Sequence, residues 1–185
     1  IRSVVQRAMH GGQLTGLDLR SVCETLHNIR VECSAILNKG RTGGWLVKST
    51  KQIPELLELE NTLSLSISIN GEITDDASLD LQKTRAERAK AHSEVITSVN
   101  KIIRSIQNEG ILQENLITER NGRLVVPVKT EMQAHIPGLV HAASDSGATL
   151  FVEPFNVISE ENKWKTASIT AAIEESKVLK SLSSL

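Results

Sequence analysis

Residues 120–129 read RNGRLVVPVK, and residues 144–154 read SDSGATLFVEP. In the first stretch Asn121-Gly122 divides two runs that alternate apolar and polar side chains. An Asn-Gly pair accepts the positive φ angles of a two-residue hairpin turn, so the surrounding NLITERNGRLVVPVKTEM is expected to form two antiparallel strands. The second stretch opens with Ser144, Asp145 and Ser146, breaks at Gly147, and runs into strand-forming residues that stop at Glu153-Pro154. Ser and Asp bond neighbouring backbone and Gly147 can take φ > 0, so Ser144, Ser146 and Gly147 form the turn of a further strand pair within PGLVHAASDSGATLFVEP. The two stretches together predict a four-stranded antiparallel meander from about residue 113 to about residue 153.

Outside this unit the periodicity changes from two to three and four. Upstream, Ser78 caps a helix whose Asp80 suits the positive end of the helix dipole. That helix runs to about Gly110 with a seam of Ala89, His92, Ile96, Val99, Ile103 and Ile106, a coiled-coil-like alternation in which His92 is a packed edge residue. Downstream of Pro154 helical periodicity returns. Near the start, Gly11-Gly12 closes a short helix and Thr15 caps the next. There Leu19, Val22, Leu26, Ile29, Cys33 and Ile36 make one apolar stripe. Pro54 opens another helix at its first turn, and Asn70-Gly71 marks a turn. The expected fold is mainly α with a small antiparallel β insertion. A helical region covers 1–76, a long helix 77–110, the β-unit 111–154 and a returning helix 155–185, so that the β-unit sits at the far tip of two long helices.

The composition agrees with helix packing. Of 185 residues 39% are hydrophobic but only 2% aromatic, with no Tyr, so the core must come from Leu, Ile, Val and Ala. Net charge is −1 and the isoelectric point about 6.6, which excludes a globally basic nucleic-acid binder and leaves only local basic groups for that role. Cys23 and Cys33 are too few for a disulfide framework and read as thiols of a reducing compartment. No apolar run is long enough to cross a bilayer, and no secretory signal is evident, so neither secretion nor a membrane partner is expected. The chain starts without Met and stops inside a helical pattern, which reads as part of something longer.

The chemistry-bearing residue types do not assemble into a catalytic pattern. Arg41 and Gly43-Gly44 lie in a glycine-rich loop, but no G-K-[ST] follows to make a phosphate loop. Ser144 and Ser146 lack a G-x-S-x-G frame. His135 and His141 flank Pro137-Gly138 without further metal ligands. No catalytic residue, metal or cofactor is therefore expected within this chain. What remains is basic. Arg120, Arg123 and Lys129 flank the hairpin, and Lys83, Arg85, Arg88 and Lys90 lie on the polar half of the long helix. Arginine forks suit bidentate phosphate contacts, the alternative being a solvated face.

RNGRLVVPVK and SDSGATLFVEP, with Gly138 to His141 between them, resemble the MutS superfamily. The similarity is to its second, non-mismatch-repair branch of bacterial and organellar paralogues. It extends upstream to NGEITDDASLDL and to the Leu-Thr-x-x-x-Leu start of the helix near residue 15, and so covers nearly the whole chain. The resemblance implies core and lever helices first, the β-unit as a clamp, and the last helix as a returning arm. It further implies a homodimeric DNA-binding ATPase whose ATP and Mg site lies in another domain, with a nuclease domain in many members. It places the protein in the cytoplasm or nucleoid of a bacterium, or in an organelle stroma or matrix. The partner implied is double-stranded or branched DNA, in recombination suppression or DNA repair; the alternative is a ribosome, RNA or protein partner in stalled-ribosome rescue. Phe151-Val152-Glu153 has the form of the family's mismatch-reading motif, but strand alternation buries Phe151, so it is not a base wedge.

Overall fold

A computed structural model describes residues 1–39 and 44–185. The glycine-rich stretch with Arg41 and Gly43 lies outside the described residues. The chain divides into two compact units, one formed by Ile1–Gln82 with Ala172–Leu185 and the other by Lys83–Ala171.

The first unit is helical. Helix α1 (Arg2–Met9) ends where expected, its last carbonyls taken by the backbone N–H groups of Gly11 and Gly12. Helix α2 (Gly16–Lys39) begins in a closed capping box. The Asp18 N–H donates to Thr15 Oγ1 at 3.1 Å, and the Asp18 carboxylate accepts from the Thr15 N–H at 3.0 Å. A short helix α3 (Trp45–Thr50), which the sequence does not announce, follows. Helix α4 (Leu57–Ser66) starts three residues beyond Pro54, with Leu56 at its N-cap making no side-chain hydrogen bond, so Pro54 lies before the helix and not in its first turn. The Asn70-Gly71 turn then closes an isolated bridge between Ile67 and Ile73. The core is Val4, Leu14, Leu19, Cys23, Leu63, Ile67, Ile73 and Leu81, joined by Val178 and Leu182. Cys23, which lies off the expected apolar stripe, is buried, and burial pushes its thiol pKa up; Cys33, on the stripe and expected to be a core thiol, is only half-buried.

The second unit holds the sheet. Helix α5 (Leu79–Ile106) supplies Val95, Val99 and Ile103, which are buried against Leu124, Val126, Val128, Ile136, Val152 and Val157. Strands β1 (Thr118–Arg120), β2 (Arg123–Lys129), β3 (Gly138–Ala143) and β4 (Thr149–Pro154) form one antiparallel sheet. The expected mixture of long helices and a small antiparallel sheet is therefore present. Within the sheet the order is β1-β2-β4-β3, so β4 lies between β2 and β3 instead of following chain order. The 3-10 turn at Thr130–His135 carries the chain past β4's place before β3 begins. Both turns take the predicted form. Asn121 and Gly122 have φ of 53° and 72°, and Gly147 has φ of 71°. Helix α6 (Ile158–Ser183) starts one short 3-10 turn after Pro154. His92 packs on Trp164 of α6 with ring centroids 4.7 Å apart, the edge contact expected of it.

Candidate nucleic-acid interface

The hairpin arginines do not form the exposed fork that their sequence positions suggest. Residues on β2 alternate between the core face (Leu124, Val126, Val128) and the opposite face (Arg123, Val125, Pro127). On that opposite face the Arg120 guanidinium lies 4.1 Å above the centre of the Phe151 ring and donates to Thr118 Oγ1 and the Glu119 carbonyl. Phe151 is thus half-buried under an arginine, not sunk into the core as simple alternation predicts.

Arg123 turns inward. Its Nη1 lies 3.3 Å from Glu153 and 3.2 Å from Glu161, and its Nη2 donates to Asn162 Oδ1 at 2.9 Å. Glu153, read from the sequence as a strand-end acid, is only 1% exposed, and so is Glu161. His141 completes the cluster with Nε2 2.6 Å from Glu153 Oε2. The β2–β4 register ends at the Val126–Val152 pair, so β4 offers no ladder carbonyl to Leu124. The Leu124 N–H left over at that point is accepted by Glu161 of α6. Burial pushes the Glu161 carboxyl above its ordinary range, against the Leu124 N–H and Arg123, which pull it down. Arg123, His141 and Glu153 come from three separate sequence stretches. Glu153 joins Arg123 to His141, and the remaining member, Glu161, lies in a helix with no distinguishing pattern around it.

The other expected contacts divide. Lys129 is half-buried and pairs in register with Thr149. On α5, Lys83, Arg88 and Lys90 are exposed and Arg85 is half-buried. At roughly 100° per residue the four do not share a face: Lys83 and Lys90 lie on one side of the helix, Arg85 and Arg88 on the other. The Lys83–Lys90 line continues to Lys101, three turns beyond Lys90, and runs opposite to Val95, Val99 and Ile103. Lys90 and Lys101 line a shallow recess of about 490 Å³ with Ser93, Thr97 and Ser98 of α5 and with Lys163 of α6, all near Glu94 and Glu160. In the sequence, the eleven-residue spacing from Lys90 is the signal for Lys101, and nothing local marks Lys163. Among the described residues no group of three or more His, Cys, Asp or Glu is placed to hold a metal, and no helix is long and apolar enough to cross a membrane.

No family model matches the chain. It is 34% identical over 183 residues to a protein named Endonuclease MutS2 from Pelotomaculum thermopropionicum, covering 99% of this chain and 23% of that protein. It is 32% identical over 185 residues to Endonuclease MutS2 of Thermomicrobium roseum, covering 98% and 23%. With the protein of the same name from Geobacillus thermodenitrificans it shares 34% over 186 residues, covering 99% and 24%. The chain spans about a quarter of the length of these curated relatives.

Proposed function

From the premise that this chain belongs to the second, non-mismatch-repair branch of the MutS superfamily, we propose that it is the lever-and-clamp part of a longer nucleic-acid-binding ATPase. Helices α5 and α6 are the levers and the β-unit is the clamp. ATP and Mg would be held in another part of the protein, together with the nuclease activity that the relatives' name states. The partner proposed is double-stranded or branched DNA, in recombination control or repair, within a bacterial cytoplasm or an organelle. A homodimer would close two such arms around it and raise the effective concentration of each.

The observation that carries the reading is the lysine line Lys83, Lys90 and Lys101 on the solvent side of α5, joined at its recess by Lys163. It replaces the hairpin tip as the contact, since Arg123 is held by two carboxylates and Arg120 by Phe151. Lysines along a helix recognise phosphates as point charges and do not read base edges, so the binding is independent of sequence. With a net charge of −1 it is weak and falls steeply with salt.

The test is a titration of the 185-residue chain with duplex DNA and with ribosomal RNA at two salt concentrations. Changing Lys90, Lys101 and Lys163 together to Ala is expected to flatten the logarithmic salt dependence by about 2 to 3. Arg120→Ala is expected to leave it unchanged. An unaltered slope in the triple variant removes the lysine line as the contact, and tighter binding to RNA than to DNA transfers the reading to the ribosomal alternative.

A further inference from the structure

The cluster behind the hairpin has an unbalanced charge count. Glu153 and Glu161, with side chains 2% and 1% exposed, share the single guanidinium of Arg123. With both acids ionised and the imidazole neutral, one negative charge is left where water scarcely reaches. An uncompensated buried charge is costly enough that such a site takes up a proton instead. His141 is placed to share one, its Nε2 being 2.6 Å from Glu153 Oε2.

The other neighbours do not supply the missing charge. From β1, Arg120 is turned onto Phe151. From the turn, Asn121 donates its amide to the His141 carbonyl at 3.2 Å. From α6, Asn162 is neutral and takes Arg123 Nη2, while the Lys165 ammonium stands beside Gly122 at the hairpin tip.

We infer that Arg123, Glu153, Glu161 and His141 form a single-proton site, and that the proton it holds keeps the sheet fastened to the first turn of α6. The direction of the Glu161 shift agrees. A carboxyl raised above its unfolded value contributes stability that is complete at acid pH and is lost as pH rises through the folded value. Loss of the proton sets two buried carboxylates against each other, and the Glu161 cap on the Leu124 N–H is the contact that opens.

The test compares the full 185-residue chain with Glu161→Gln from pH 5 to pH 9, by denaturant unfolding and by amide exchange at Leu124 relative to the ladder amides of β2. One fully linked proton changes the folding constant tenfold per pH unit. The parent is expected to lose folding constant toward that slope as pH rises, and to lose Leu124 protection ahead of the rest of β2. Glu161→Gln is neutral without a proton and still offers a carbonyl to Leu124, so it is expected to lose that share of the slope and keep the protection. The proposal is overturned if the variant keeps the parent's slope, or if Leu124 in the parent exchanges in step with β2 throughout. Should Glu161→Gln not fold, Glu153→Gln removes the same charge, and the Leu124 measurement on the parent needs no variant.

Discussion

Each unit contains a buried glutamate held by an arginine, Glu60 by Arg30 and Glu161 by Arg123, yet their carboxyl pKa values are displaced in opposite directions. In the helical unit Glu60 of α4 receives a fork from Arg30 of α2, Nε at 2.8 Å and Nη2 at 2.9 Å, with His27 Nδ1 2.9 Å away. One carboxylate meets one guanidinium through both oxygens, and the Glu60 pKa is pulled down to about 2, chiefly by Arg30. In the sheet unit two carboxylates divide one Arg123 nitrogen at 3.2 and 3.3 Å, and burial raises Glu161. The residue types are the same; the ratio of acceptors to donors and the access of water differ. Arg30 and His27 are 39% and 56% exposed, whereas Arg123 and His141 are 22% and 20% exposed.

The largest expected effect follows from that difference. Arg123→Met leaves two buried acids without their guanidinium, which costs about 3–5 kcal/mol. Urea unfolding at pH 7 measures it. Arg30→Met in the helical unit leaves Glu60 beside an exposed His27 and reachable water, and should cost distinctly less. Equal losses would mean that exposure does not separate the two sites.

The fold was legible to the extent that local chemistry determines it. Asn121-Gly122, Gly147, Ser78 and Thr15 act through their own backbone neighbourhood, and each sits where its type requires. The strand order was not legible, because the pairing of β2 with β4 instead of β3 is decided by long-range packing of Val126, Val128 and Val152. The same reason explains Arg123. Its place in the hairpin is local, but its partners Glu153 and Glu161 lie 30 and 38 residues away. Nor does the sequence reveal that Arg85 and Arg88 fall on the opposite side of α5 from Lys83 and Lys90 unless the helix is turned residue by residue.

Backbone effects sharpen the comparison, because they are independent of either ionic site. Gly147 has φ of 71° and nothing within 4 Å of where a Cβ would stand, so Gly147→Val meets strain alone, about 1–3 kcal/mol. Gly147→Asn should cost less, since Asn tolerates that region. In the helical unit the counterpart is Thr15→Ala, which removes the hydroxyl cap on the Asp18 N–H and costs about 1 kcal/mol. Thermal unfolding checks all three. If Gly147→Val altered the pH dependence of stability, the ionic sites would not be its source; Thr15→Ala is no such control, because the Thr15 hydroxyl helps hold the Asp18 carboxyl below its ordinary range.

The smallest effect at neutral pH is expected from Glu60→Gln. Its partners are exposed enough to be rehydrated when the carboxylate goes, and a glutamine oxygen still accepts from Arg30, so little changes at pH 7. That small loss closes in acid. Glu60 is held below its ordinary value, so its contribution is complete above the unfolded pKa and is lost as pH falls through the folded one. The parent should therefore lose stability between about pH 5 and pH 2 in a step that Glu60→Gln lacks, the two curves converging at the acid end. Glu161→Gln should do the reverse, lying above the parent as pH rises where Glu60→Gln lies below it. Unfolding curves of the two variants on one pH axis decide the matter. Departures on the same side would show that burial, and not the number of carboxylates per arginine, sets the sign at both sites.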